Sequence, residues 1–181
     1  AEWVIIDDDV GGYYPSVIIE YGLAPEHLGD KFRQEFRAIK EERKLHPKGT
    51  PENGALKLAG NSVFGDSNNP YSIYRDAKFM LTTTINGQMM LCMLAEKLMA
   101  IPTLSLIQAN TDGLTYFVHR SMIPEVNRVR DEWQRLTRME LEQAIYSRMF
   151  IRDVNNYIAE NESGKLKLKG AYWSPRDESW N

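Results

Sequence analysis

The chain has 181 residues, 43% of them hydrophobic and 26% charged, with a formal net charge of -3. That length and apolar content suit one ordinary domain, or a compact domain with a projecting part, and exclude an unstructured chain. The negative balance excludes a global electrostatic case for nucleic acid, so any such case has to be local.

Residues 2–9 read as a near-continuous apolar strand of the centrally buried kind, ending on Asp7, Asp8 and Asp9. Gly11 and Gly12 follow and let the backbone turn with its amides free to face an anion. Pro15 suits the first turn of a helix, with Val17, Ile18 and Ile19 behind it. Carboxylate, amides and a helix start within a few residues are the parts of a phosphate-plus-metal site; the alternative is a glycine-rich turn with solvated aspartates.

From Lys31 to Lys48 the pattern is helical, with seven basic residues against three acidic ones. Such a run is either a solvated helix face or a phosphate-binding one. Residues 47–51 (PKGTP) break it, and a second helix from about Glu52 returns to make an antiparallel pair. In that helix Lys57, Asn61 and Phe64 stand at i, i+4 and i+7 on one face, a poor core stripe and a good nucleotide stripe. After a loop at 66–71, residues 75–100 predict the longest helix. Phe79, Met80, Ile85, Met89, Met90, Met93, Leu94 and Leu98 are its candidate core. Cys92, the single cysteine, reads there as a small buried hydrophobe and excludes a disulfide within the chain. No apolar run is long enough to span a bilayer.

Residues 104–118 (LSLIQANTDGLTYFV) predict a tight hairpin around Asn110-Thr111-Asp112-Gly113. An Asp-Gly pair alone is only a turn signal. Together with the distant acidic strand, however, it makes two strands ending in carboxylates, which can hold two divalent cations ~3.5–4 Å apart. A helix over about 124–138, a strand over about 140–153 and a hairpin over 155–170 complete the chain. The last hairpin should set Lys165, Lys167 and Lys169 on one side as a phosphate-tracking edge. The tail from Trp173 reads as irregular. The start on Ala-Glu-Trp, already within a strand, is what an excerpt of a longer protein would show.

At this point the motifs resemble those of family B DNA polymerases. Asp9-x-x-x-x-Tyr14-Pro15-Ser16 resembles the first motif, Lys57-x-x-x-Asn61-Ser62-x-Phe64-Gly65 the second, and Asn110-Thr111-Asp112 the third. Residues 152–157 (RDVNNY) and Lys167-x-Lys169-Gly170 are similar to the segments that grip the primer–template duplex, and the flavour is that of phage-encoded members. The resemblance implies an α+β fold: a palm-type antiparallel sheet (ferredoxin/RRM-like) backed by helices, with an antiparallel two-helix fingers insertion. It divides the chain into a first palm part at 1–25, fingers at 26–66 and the rest of the palm at 67–181. Exonuclease and thumb are missing from that scheme, so weak or no activity is expected of this stretch alone.

By that resemblance, Asp9 and Asp112 are catalytic and hold two Mg²⁺, for which Mn²⁺ can substitute, with the Val10 carbonyl as a further ligand. Gly11, Gly12, Tyr13, Tyr14, Arg43, Lys48, Lys57 and Asn61 bind the nucleotide, and Tyr14 excludes a 2′-hydroxyl. Phe64, Gly65, Asn110, Thr111, Tyr157, Lys167 and Lys169 meet DNA. The partners implied are primer–template DNA, deoxynucleoside triphosphates and the remaining polymerase domains, with no membrane and a cytoplasmic location, the host's if phage-encoded. The chain departs from the pattern at Asn110, where the family has a first aspartate. Gly12 and Gly113 stand where Ser is common, and Phe64 where Tyr is usual; Asp7 and Asp8 are additional acids. The alternatives are a non-catalytic nucleic-acid-binding palm module and another palm-fold nucleotidyl transferase or cyclase.

Overall fold

A computed structural model describes residues 2–172, so the tail from Trp173 lies outside the described residues. The elements in chain order are β1 (Trp3–Val10), α1 (Tyr13–Glu20), α2 (Gly29–Lys44), α3 (Pro51–Asp66), α4 (Ala77–Met99), β2 (Ser105–Ala109), β3 (Gly113–His119), α5 (Ile123–Thr137), β4 (Leu141–Asp153), β5 (Asn156–Asn161) and β6 (Leu166–Lys169). The strands form one antiparallel sheet in the order β2-β3-β1-β4-β5-β6. The fold is α+β, as expected: an antiparallel sheet backed by helices. The described residues divide into two compact units, one of residues 2–10, 91–136 and 140–172, the other of residues 11–90 and 137–139.

The first unit is built on β1, whose run of Val and Ile suits a strand with neighbours on both sides. Strand alternation splits its side chains between two faces. Val4, Ile6, Asp8 and Val10 are buried on one, while Ile5, Asp7 and Asp9 point to the other. Leu114, Tyr116 and Val118 of β3, Leu94 and Leu98 of α4, and Val126, Val129 and Trp133 of α5 are buried in the same unit. A charged contact pins α5 to the sheet: Arg130 Nε lies 3.0 Å from both oxygens of Asp8, which is fully buried, and Tyr116 Oη donates to Asp8 Oδ2 at 2.6 Å. Burial raises the proton affinity of Asp8, and the guanidinium and the phenol oppose that rise.

The second unit closes around Ile18, Phe32, Phe36 and Phe79. Its α2–α3 pair turns back at Asn53. The Asn53 Nδ2 donates to the carbonyls of Arg43 and His46, at 3.2 and 2.8 Å, which ties the end of α2 to the start of α3. Thr50 caps α3 by accepting from the Asn53 N–H, with Pro51 in the first position.

Two expectations about α4 are corrected. Cys92 is exposed and not buried, and Ile85 and Met89 are 49% and 65% exposed. The helical period explains this: Leu91, Leu94 and Leu98 occupy the buried stripe, and Ile85, Met89 and Cys92 lie on the opposite side of the helix. In the last hairpin, Lys165 precedes β6, its backbone N–H bonded to Asn161 Oδ1 at 2.9 Å, so only Lys167 and Lys169 share the strand face.

Replacing Arg130 by Met should cost about 3 kcal/mol or more, because it leaves the buried Asp8 carboxylate without its counter-ion. Urea unfolding monitored by circular dichroism checks this; a loss under ~1 kcal/mol would show that Tyr116 alone satisfies Asp8.

Candidate active site

The carboxylate site lies in the sheet unit. Asp9 pairs in register with Gly113 on β3 and with Glu142 on β4. The Val10 N–H donates to the Asp112 carbonyl at 2.7 Å, so the two aspartates stand at adjoining ends of neighbouring strands. Asn110 organises the turn between β2 and β3: its Oδ1 accepts from the Asp112 N–H at 3.1 Å and its own N–H donates to the Gly113 carbonyl at 3.0 Å. That is an Asx turn, which Asn makes as well as Asp. Asn110 therefore has a structural part in presenting Asp112, while Thr111 and Asp112 themselves are exposed.

The geometry accounts for glycine at position 113. A Cβ built there would lie 2.2 Å from Asp9 Oδ1 and 2.5 Å from the Asp8 carbonyl oxygen. The first atom could swing away, but the second is backbone. Only a hydrogen leaves Asp9 where it is.

Asp9 is half-buried and has no salt bridge among the described residues. Its proton affinity is raised, first by burial and then by the charges of Asp7 and Asp112, with Lys167 and Lys169 acting in the opposite sense. Burial and two neighbouring carboxylates thus both disfavour its charge. Among the described residues no cluster of three or more His, Cys, Asp and Glu has a metal-holding geometry. A pair of carboxylates is nevertheless the donor set that Mg²⁺ takes from protein, since it draws its remaining ligands from water and substrate phosphate. Asp9, Asp112 and the Val10 carbonyl fit such an ion chemically.

Two residues expected to meet DNA are engaged within the sheet unit. Tyr157 is 1% exposed, too deep to touch a duplex. Its ring instead lies under the ammonium groups of Lys167 and Lys169, at 5.8 and 5.4 Å from the ring centre. Lys167 donates to Asp7 Oδ2 at 3.2 Å. Its proton affinity is raised: burial works against the charge, but hydrogen bonding with Tyr146 and the charge of Asp7 outweigh it. The sequence pattern did not single out Asp7, Thr115 or Tyr146, which complete this cluster.

The predicted nucleotide residues lie in the helical unit. Gly12 has φ +58° and ends the turn before α1, which has no side-chain cap at its N-terminus. A Cβ at Gly12 would lie 3.5 Å from Arg43 Nη1, so the guanidinium sits beside the start of α1. Arg43 also donates to Asn53 Oδ1 at 3.3 Å. A cleft of about 30 Å³ is lined by Pro15, Lys40, Arg43, Lys57, Gly60 and Asn61 among others, which brings three of the predicted residues together. Lys40, not singled out beforehand, belongs with them and donates to Ser16 Oγ at 3.3 Å. Lys48 lies outside this cleft and is exposed, as is Gly65. Tyr14 stacks on Phe64 with ring centres 4.4 Å apart, and the buried Tyr13 donates its hydroxyl to the Gly87 carbonyl. Among the described residues no helix is long and apolar enough to cross a membrane.

The described fold is similar to that of the family B DNA polymerase from the hyperthermophilic archaeon Pyrobaculum calidifontis. The TM-score is 0.64 at 15% sequence identity, over 97% of this chain and 28% of that one. The chain therefore spans little more than a quarter of that polymerase's length. No family model and no curated relative matches the sequence. At this identity the likeness is one of fold, and it agrees with a palm-type sheet; the neighbour is archaeal, so the phage-like flavour rests on the motif residues alone.

Gly113→Ser should lower the thermal midpoint by several degrees, since the Asp8 carbonyl strand must shift; differential scanning calorimetry measures it. An unchanged midpoint would mean that β3 yields freely opposite Asp9.

Proposed function

We propose that the chain is the nucleotidyl-transfer core of a DNA polymerase of the family B type, adding deoxynucleotides to a primer 3′-hydroxyl on a template. One observation supports this above the others: Asp9 and Asp112 stand side by side at adjoining strand ends, in a sheet whose fold matches that of a polymerase over nearly the whole chain. Primer–template DNA, deoxynucleoside triphosphates and further polymerase domains are the partners this implies.

In this mechanism Asp9 and Asp112, with the Val10 carbonyl, would hold two Mg²⁺. Bound there, the ions would supply activation of the attacking hydroxyl and neutralisation of charge on the leaving pyrophosphate. The protein contributes position and field. Asp9 keeps its carboxylate in place because Gly113 leaves room for it. In the helical unit the amides at Gly12 and Tyr13 face the triphosphate at the start of α1. Lys40, Arg43 and Lys57 balance phosphate charge, and Asn61 adds a neutral donor from the same stripe of α3. Tyr14 would lie under the sugar, its ring held by the stack on Phe64, so that a 2′-hydroxyl meets the ring.

The raised proton affinity of Asp9 has a calculable sign. A carboxyl whose folded pKa lies above its unfolded one makes the fold less stable as pH rises through that interval. Ionised Asp9 therefore costs stability at neutral pH. Asp9→Asn should raise the thermal midpoint by about 2 °C in chelator. Divalent cations should stabilise the wild type and not this variant.

Asp112→Asn should abolish single-nucleotide addition to a primer at low salt with Mn²⁺, while leaving duplex binding within about twofold, because phosphate contacts remain. Addition by the variant at the wild-type rate would overturn the assignment. Lys57→Ala should raise KM for all four deoxynucleotides alike, since its contact is to phosphate; an effect confined to one base would contradict that role.

A further inference from the structure

Asp7 is the carboxylate that the proposed mechanism does not use. It is 3% exposed and lies two residues before Asp9, on the same face of β1. Both of its oxygens are committed. Thr115 Oγ1 donates to Oδ1 at 2.6 Å, and Lys167 Nζ donates to Oδ2 at 3.2 Å. Thr115 in turn accepts from Gln108 Nε2 at 3.2 Å. Lys167 comes from β6, at the far edge of the sheet, and its ammonium crosses above the rings of Tyr157 and Tyr146, 5.8 and 5.7 Å from their centres. Gln108, Thr115, Asp7, Tyr146, Tyr157 and Lys167 stand on β2, β3, β1, β4, β5 and β6, so every strand contributes one residue. A contact that draws on the whole sheet is poorly suited to a lysine that must leave its partner to follow a phosphate backbone.

We propose that Lys167 is a positioning residue, whose ammonium closes Asp7 into an ion pair so that Asp7 neither takes a divalent cation nor adds its charge to the field at Asp9 and Asp112. Successive same-face residues on a strand are ~7 Å apart, close enough for an open Asp7 carboxylate to compete for the same cation. Thr115 and Lys167 between them engage both oxygens of a buried carboxylate. Lys169, on the same side of β6 and 5.4 Å from the Tyr157 ring centre, remains for phosphate. The inference rests on the proposed metal role of Asp9 and Asp112.

The test is Mn²⁺ binding by the 181-residue chain, read from the electron paramagnetic resonance signal of free Mn²⁺ with no nucleotide or DNA present, so that no phosphate contact can contribute. Lys167→Met keeps the aliphatic stem over the tyrosines and exposes the Asp7 charge; it should bind Mn²⁺ about tenfold more tightly. Asp7→Asn leaves the ammonium uncompensated and should bind about tenfold more weakly. The double variant should return to within about twofold of wild type, and Lys167→Arg should stay there too. If Lys167→Met fails to fold, the reversal between Asp7→Asn and the double variant carries the same content. A purely structural ion pair would lower the thermal midpoint of both single variants yet leave Mn²⁺ affinity unchanged, which would overturn the proposal. Loss of binding in Lys167→Met that Asp7→Asn does not rescue would also overturn it. In both cases wild-type binding that disappears in Asp9→Asn would leave the metal reading standing. A wild type whose Mn²⁺ binding is insensitive to Asp9→Asn and Asp112→Asn would remove that reading, and this inference with it.

Discussion

Three consecutive carboxylates on the central strand of a sheet are an electrostatic load that the rest of the sheet unit is arranged to carry. The pleat sends Asp8 to one face and Asp7 and Asp9 to the other. Asp8, fully buried, is met by Arg130 and Tyr116, as a buried charge has to be. Asp7 is met by Thr115 and Lys167. Asp9 is the one left without a salt bridge among the described residues, and Asp7 and Asp112 add their charges to the burial that disfavours its own. A cation from outside is worth most where internal compensation stops. That difference among three identical side chains picks out Asp9 on physical grounds, independently of its spacing from Tyr14, Pro15 and Ser16.

The elements were legible because their signals are local. Apolar alternation, helical period and the Gly and Pro breaks place β1, the α2–α3 pair, the β2–β3 turn and the last hairpin within a few residues of where they stand. The partners of the acidic strand were not legible, because they arrive from far along the chain. Thr115 is 108 residues from Asp7, Arg130 is 122 from Asp8, and Lys167 is 160 from Asp7. No local pattern says that a lysine in a basic-looking strand is already engaged. Nor does it say that the tyrosine beside it is buried. The error at α4 has a different source: its apolar content is wider than its buried stripe, so composition alone over-filled the core with Met89 and Cys92.

A fold likeness at 15% identity, with no match from sequence, is what this division of labour leads one to expect. Most positions in the sheet need only the right polarity on the right face, and many residues supply that. A few positions need one residue type. Asp9 is one, and Gly113 opposite it is another. Asn53 is a third, since it satisfies the carbonyls of Arg43 and His46 with Nδ2 and accepts from Arg43 with Oδ1. Motif residues of this kind are sparse, which makes them readable one by one and nearly invisible when averaged over the chain.

The turn at residues 110–113 carries the consequence furthest. A side chain at 113 and the carboxylate of Asp9 would occupy the same volume, so glycine is retained although it weakens a strand. At 110 an aspartate would make the same bond to the Asp112 N–H as asparagine does, and would add a further negative charge near Asp9, whose charge Asp7 and Asp112 already disfavour. Asparagine keeps the turn and leaves out the charge.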